Sequence, residues 1–175
     1  MIPILQQQEK TLRTPAREVP LDTIGTKELK KSFEAMSQAL REQDDGVAIA
    51  APQIGISERI FLISGRFFDE SLSKRRGPAP TTWTDHVFIN PTITKKSKDK
   101  KNMEEGCLSV RWLYGRVKRA SRATVEAYDE HGQKKTVDGS GLLAQIFQHE
   151  IDHLDGILFI DTATNIKEVP PEGSI

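Results

Sequence analysis

Leu29, Phe33, Met36 and Leu40 recur at spacings of three and four, which places them on one side of an α-helix, and Thr26 stands where it can cap the first turn. This pattern predicts an amphipathic helix that ends near Glu42–Gly46. The next stretch, GVAIAAPQIG (46–55), is small and apolar but too short and too interrupted for a second helix. It predicts backbone that other atoms approach closely. RIFLI (59–63) and HVFINP (86–91) read as strands, the second stopped by its Asn-Pro pair. Mixed polarity across 65–85 predicts a long surface loop. TITKKSKDKKNMEEGCLSV (92–110) reads as a hairpin with lysines at its tip and a second strand that ends at Cys107. Alternation in ATVEAYDEHGQKKTVDG (123–139) adds two strands that turn at His131 and Gly132. From about Gly141 to Leu154 the helical period returns, with Leu142, Leu143, Ile146, Phe147, Ile151 and Leu154 on a broad apolar face and Gly156 as the stop. The tail IKEVPPEGSI is predicted to trail over the surface.

With no internal repeat and no linker, the 175 residues are expected to form one domain, 1–175. Its class is α+β: antiparallel β-strands packed around the late helix, with the amphipathic helix near the N-terminus. Twenty-five basic residues balance 25 acidic ones, so the overall field favours neither DNA nor a membrane surface. The N-terminal stretch lacks a basic segment followed by a long apolar run, and a cytoplasmic location is expected. A single cysteine, Cys107, excludes an internal disulfide and leaves apolar filler, nucleophile or metal ligand as its roles.

The late helix carries QHEIDHLDG (148–156). His149 and His153 lie four apart, so both imidazoles project from one side and can converge on one ion. Glu150, about a quarter-turn round, can reach a water at that ion and take its proton, which is the logic of HExxH. Such a catalytic site needs a third protein ligand. The downstream candidates are poor: Phe159 stands six residues past His153 and cannot ligate, and Glu168 and Glu172 lie in a proline-broken tail. Upstream, Cys107 in EGCLS offers a thiolate suited to zinc or ferrous iron. A small metallo-endopeptidase would also use HExxH, but the missing downstream ligand argues against it.

Taken together, GVAIAAPQIG, EGCLS and QHEIDHLDG resemble peptide deformylase in content and order, and KTLRTPAREV resembles that family's N-terminal segment. The resemblance implies removal of the formyl group from the N-terminal methionine of nascent polypeptides, giving formate and a free amino terminus. Transient contact with the ribosome would accompany that substrate. It further implies Cys107, His149 and His153 as metal ligands and Glu150 as the acid/base. Gln53 and the Leu108 N–H would hold the formyl oxygen. The implied ion is Fe2+ in the cell, with Zn2+, Ni2+ or Co2+ accepted. Substrate-binding positions fall on Val47, Ala48, Gly106, Tyr114, Leu142 and Ile146, with Tyr114 at the pocket rim.

The chain departs from the family pattern in three places, one of which is the long 65–85 loop, an insertion relative to compact members. Ala48 stands where a second glycine is usual, which predicts a narrower cleft, and Arg111-Trp112 replaces a frequent Pro-Gly. Glu105 and Arg119 are expected to pair beside the cysteine. The lysine run from Lys95 to Lys101 reads as a solvated tip.

Overall fold

In the computed structural model, which describes residues 2–68 and 84–170, the first apolar stripe becomes α1, Lys27–Arg41, with Leu29, Phe33, Met36 and Leu40 buried. Its first turn is capped by Thr26 Oγ1, which accepts from the Leu29 N–H at 3.3 Å. The described residues contain eight strands: β1 (Ala48–Ala50), β2 (Ile60–Ile63), β3 (His86–Lys96), β4 (Lys100–Cys107), β5 (Val110–Ala120), β6 (Arg122–Tyr128), β7 (Lys134–Ser140) and β8 (Thr164–Glu168). They form two antiparallel sheets, one ordered β1-β2-β3-β6-β7 and the other β4-β5-β8. A helical turn, α2 (Gly65–Phe68), follows β2, and α3 (Leu142–Leu154) follows β7.

Both faces of the larger sheet are covered at β2, which explains why RIFLI is apolar without alternation. Phe61 and Ile63 pack with Phe88, Val125 and Phe147 on the α3 side, whereas Ile60 and Leu62 pack with Val87 and Ile89 on the α1 side. All four residues of β2 are buried, each contributing roughly 1.5–3 kcal/mol relative to exposure. Phe61 stacks on Phe88 at 4.5 Å between ring centroids, and Phe147 of α3 meets Phe88 edge-on at 5.6 Å. The smaller sheet encloses its own core of Leu12, Val110, Val117, Leu158 and Phe159.

Two buried amides set the rotation of α3. Gln148 accepts from the Ala120 N–H and donates to the Ala120 carbonyl, both at 3.0 Å, while Gln145 Nε2 donates to the Glu104 carbonyl at 2.8 Å. The helix is thereby tied to the last residue of β5 and to β4, which fixes the side from which the histidines that follow Gln148 project.

Several expectations are corrected. The Asn-Pro pair does not stop β3, which runs on to Lys96 through a shift of register between Ile89 and Thr92. Asn90 takes φ 50° there and its side chain exchanges two 2.8 Å hydrogen bonds with the backbone of Val19. The 92–110 segment is not one hairpin, because β3 and β4 belong to different sheets and Ser97–Asp99 forms the corner between them. Strand β4 pairs instead with β5, where the inward row includes Gly115 and the buried Arg119 and so lacks an apolar signature. Residues 46–55 form no second helix, as expected, but strand β1 followed by a 3-10 turn, Ala51–Ile54, and the backbone is closely approached at Gly46, where a Cβ would lie 2.9 Å from Leu40 Cδ1. The tail contributes β8, which pairs with β5 through its backbone while all its side chains stay exposed. The predicted loop at 65–85 begins with the helical turn α2, and its 69–83 portion lies outside the described residues.

Gly156 ends α3 for two reasons. Its φ is +76°, and a Cβ there would lie 2.9 Å from the Arg13 carbonyl carbon and 3.1 Å from the Thr14 nitrogen. Both neighbours are backbone and cannot swing aside. Gly156→Ala is therefore expected to destabilise the fold by at least about 1–2 kcal/mol, the cost of a left-handed alanine alone. Denaturant unfolding that matches wild type would show that the N-terminal segment is not held against this turn.

Candidate active site

The Cys107 thiol and the imidazoles of His149 and His153 meet where the end of β4 faces α3. One donor atom from each lies within 4.8 Å of the others, and Cys107 Sγ is 3.2 Å from His153 Nε2. The turn from β4 into β5 presents the sulfur, which also receives the Ser109 N–H at 3.4 Å. Nδ1 of His149 is 3.0 Å from Glu105 Oε2, so its Nε2 is the nitrogen left for an ion. Arg119 grips the same carboxylate through Nε and Nη2, at 2.7 and 3.0 Å, and reaches Asp152 Oδ2 through Nη1 at 2.5 Å. The expected Glu105–Arg119 pair is thus part of a buried chain that ends on the first histidine.

The electrostatics match a cation-binding donor set. Burial works to raise the Cys107 thiol, but His153 and His149 outweigh it and bring the pKa down to about 5. Burial works to lower His149, yet the bonds to Cys107 and Glu105 hold it well above the ordinary imidazole value. For Glu105, burial is outweighed by the hydrogen bonds from His149 and Arg119, which pull it to about 2. A divalent ion between thiolate and imidazoles would supply the positive charge that the ring protons otherwise provide, and would displace those protons. Among the described residues, two buried side-chain atoms have no hydrogen-bond partner, His153 Nδ1 and Glu150 Oε2. The residues present therefore fit a resident metal.

Glu150 is 4% exposed, and burial lifts its pKa to about 7 against the pull of His149 and His153. Gln53 lies opposite. Its Oε1 is taken by the Ala50 N–H at 2.8 Å, so Nε2 must face the cysteine turn, 3.1 Å from Ser109 Oγ and 3.7 Å from Cys107 Sγ. Leu108 lies beside them, and its carbonyl accepts from Gln6 Nε2 at 3.1 Å.

These groups open onto a cleft of about 310 Å3. Val47, Ala48, Gly106, Tyr114, Leu142 and Ile146 all line it, together with Gln53, Leu108, Cys107, His149 and Glu150, while His153 lies buried behind. The cleft runs between two sheet edges, β1 of the larger sheet and β4 of the smaller. Gly106 lies against the Tyr114 ring, where a Cβ would come within 2.7 Å of Cε1. Ala48, on β1, lines the same cleft. Sequence reasoning missed Ser109, Gln145 and Asp152, and the anchoring of Arg111 to Asp45 and Gln43 at 2.7 and 2.6 Å. Asp152 stood in plain sight between the histidines, but only the fold brings Arg119 to it.

Similarity to known proteins follows the same lines. A family model described as polypeptide deformylase matches residues 1–169. Peptide deformylase 2 of Clostridium acetobutylicum is 38% identical over 157 residues, covering 90% of this chain and 91% of that relative. A peptide deformylase from Synechococcus elongatus, solved in complex with actinonin, superposes with a TM-score of 0.77 at 32% identity over 94% of this chain and 79% of the other. A class I type b peptide deformylase from Acinetobacter baumannii, solved with Met-Ala-Ser bound, gives a TM-score of 0.77 at 32% identity over 92% and 98% of the two chains.

Proposed function

The chain belongs to the polypeptide deformylase family, and we propose that its Cys107, His149 and His153 hold the metal ion while Glu150 handles the proton. Members of the family are metal-dependent hydrolases that remove the N-formyl group from nascent polypeptides. The observation that carries the assignment is the convergence of one thiolate and two imidazoles beside a buried, unpartnered carboxylate at the wall of an open cleft. When bound, a divalent ion supplies Lewis acidity and lowers the pKa of water to about 7. Fe2+ is the ion assigned for the cell, with Zn2+, Ni2+ or Co2+ as substitutes, since a soft thiolate with two imidazoles suits these ions.

The chain's own groups divide the remaining work. Glu150 accepts the proton of the attacking water and afterwards delivers it to the amine as the formamide C–N bond breaks, leaving formate and a free amino terminus. Gln53 Nε2 and the Leu108 N–H donate to the formyl oxygen as negative charge gathers there. Gln53 is ready for this role because the Ala50 N–H occupies its carbonyl oxygen and turns its amide nitrogen toward the cysteine. The peptide lies extended between the edges of β1 and β4, against Ala48 and Gly106. Its methionine side chain packs on Val47, Leu142 and Ile146, with Tyr114 at the rim.

Residues 1–175 act as one catalytic domain, because α3 packs on the larger sheet and presents its histidines to the smaller. Among the described residues no helix is long and apolar enough to cross a membrane. The substrate puts the enzyme in the cytoplasm beside the ribosome, in transient contact with it and with neither DNA nor membrane. Wild-type protein reloaded with iron, nickel or zinc under exclusion of oxygen is expected to release formate from a short formyl-methionyl peptide and to lose that activity on chelation. No release with any ion, at one ion per chain by elemental analysis, would reject the assignment.

A further inference from the structure

Trp112 holds a backbone conformation that its side chain disfavours. Its φ of 67° lies in the left-handed region, which glycine enters freely and a bulky aromatic residue seldom does. Burial does not compensate, because the residue is 38% exposed and lines the cleft. Strain of this kind persists where the surroundings impose it, and it clusters at functional sites. Here the imposing contacts can be named. The Trp112 carbonyl accepts from the Val169 N–H at 2.7 Å, and Leu113 is paired with Glu168 of β8. Arg111 reaches from the same turn to the loop after α1, with Nη1 on Asp45 at 2.7 Å and Nη2 on Gln43 at 2.6 Å. Its guanidinium carbon sits 5.4 Å from the centroid of the Trp112 ring. Asp45 offsets the charge of Arg111, so the cation serves as a support for the ring.

The reacting end of the cleft is buried at Glu150 and the Trp112 end is exposed. A peptide held by its N-terminus at the first must run toward the second. We propose that Trp112 is a specificity-determining residue, a fixed aromatic platform at the cleft rim that favours large apolar side chains in the two positions after the formylated methionine. A ring already immobilised by its neighbours loses little freedom when a side chain packs against it. The inference rests on the deformylase reading of the cleft.

Nickel-loaded wild type, Trp112→Gly and Trp112→Phe would be compared on formyl-Met-Phe-Ser, formyl-Met-Gly-Phe and formyl-Met-Gly-Ser, with calorimetric binding of the unformylated peptides in parallel. Wild type is expected to prefer the two phenylalanine peptides by about two- to tenfold in kcat/KM, mainly through KM. Trp112→Gly, relaxed at that φ, should abolish the preference, and Trp112→Phe should keep most of it. An equal preference in Trp112→Gly, a loss spread evenly over all three peptides, or a selectivity for acidic residues that follows Arg111 would overturn the proposal. If no peptide yields formate, yet Met-Phe-Ser outbinds Met-Gly-Ser only when Trp112 is present, the platform stands and the deformylase reading falls.

Discussion

Glu150→Gln is expected to lower formate release by about 10²- to 10⁴-fold, the usual contribution of a positioned general acid/base, while the protein still binds one metal ion per chain. The substitution is nearly isosteric and removes a buried carboxylate whose second oxygen has no hydrogen-bond partner among the described residues. Folding should therefore suffer little, because a neutral amide is easier to bury than a carboxylate that burial already pushes to about pKa 7. The donors proposed to hold an ion, Cys107, His149 and His153, are untouched. What the amide cannot do is accept a proton from water and return it to the leaving amine. Elemental analysis beside a formate assay separates the two effects. A Glu150→Gln variant that turns over normally would sink the role given to this residue, whereas loss of both metal and activity would make it a structural support of the ion.

Local patterning pointed to the candidate site more fully than to the architecture. The i, i+4 histidines and the adjacent glutamate were legible because a helix turns sequence spacing into direction, and the apolar face of 142–154 left no doubt about the helix. Cys107 was reached through the need for a third donor, and the structure brings its sulfur to His153. Strand β5 was missed because burial alternates over 115–119 while the buried row carries Gly115 and Arg119, so the alternation is not written in apolar residues. Strand β8 was missed because its backbone supplies the pairing and its side chains, all exposed, carry no signal. The Asn-Pro pair misled for a third reason. A proline that cannot donate is tolerated at a bulge, and Asn90 turns that bulge into a clamp on Val19. The buried chain from Asp152 through Arg119 and Glu105 to His149 joins residues 105, 119, 149 and 152, and no spacing rule spans that distance.

That chain sets the second large effect. Arg119→Met is expected to destabilise the fold by about 3–5 kcal/mol, the usual loss when one member of a buried ion pair is removed. Arg119 is 7% exposed and makes two short bonds to a carboxylate whose residue is itself 4% exposed. Without it, burial works to raise the pKa of Glu105 and only His149 opposes it. The same carboxylate fixes the His149 ring through Nδ1, so a displaced or protonated Glu105 would also weaken metal binding, by about 10- to 100-fold when such an outer partner is lost. Urea unfolding and metal retention against a competing chelator read the two consequences separately. Arg119→Lys should recover part of the stability but not the forked grip, since an ammonium is a point charge. The double variant Glu105→Gln with Arg119→Met decides between electrostatic and steric accounts. Removing both charges should restore much of the stability, because the carboxylate then left without Arg119 is that of Asp152, whose side chain is 28% exposed and can be hydrated. Metal affinity should stay low, because an amide in place of the Glu105 carboxylate holds His149 Nδ1 far less strongly. A double variant as unstable as Arg119→Met would mean that packing, rather than the unpaired Glu105 charge, causes the loss.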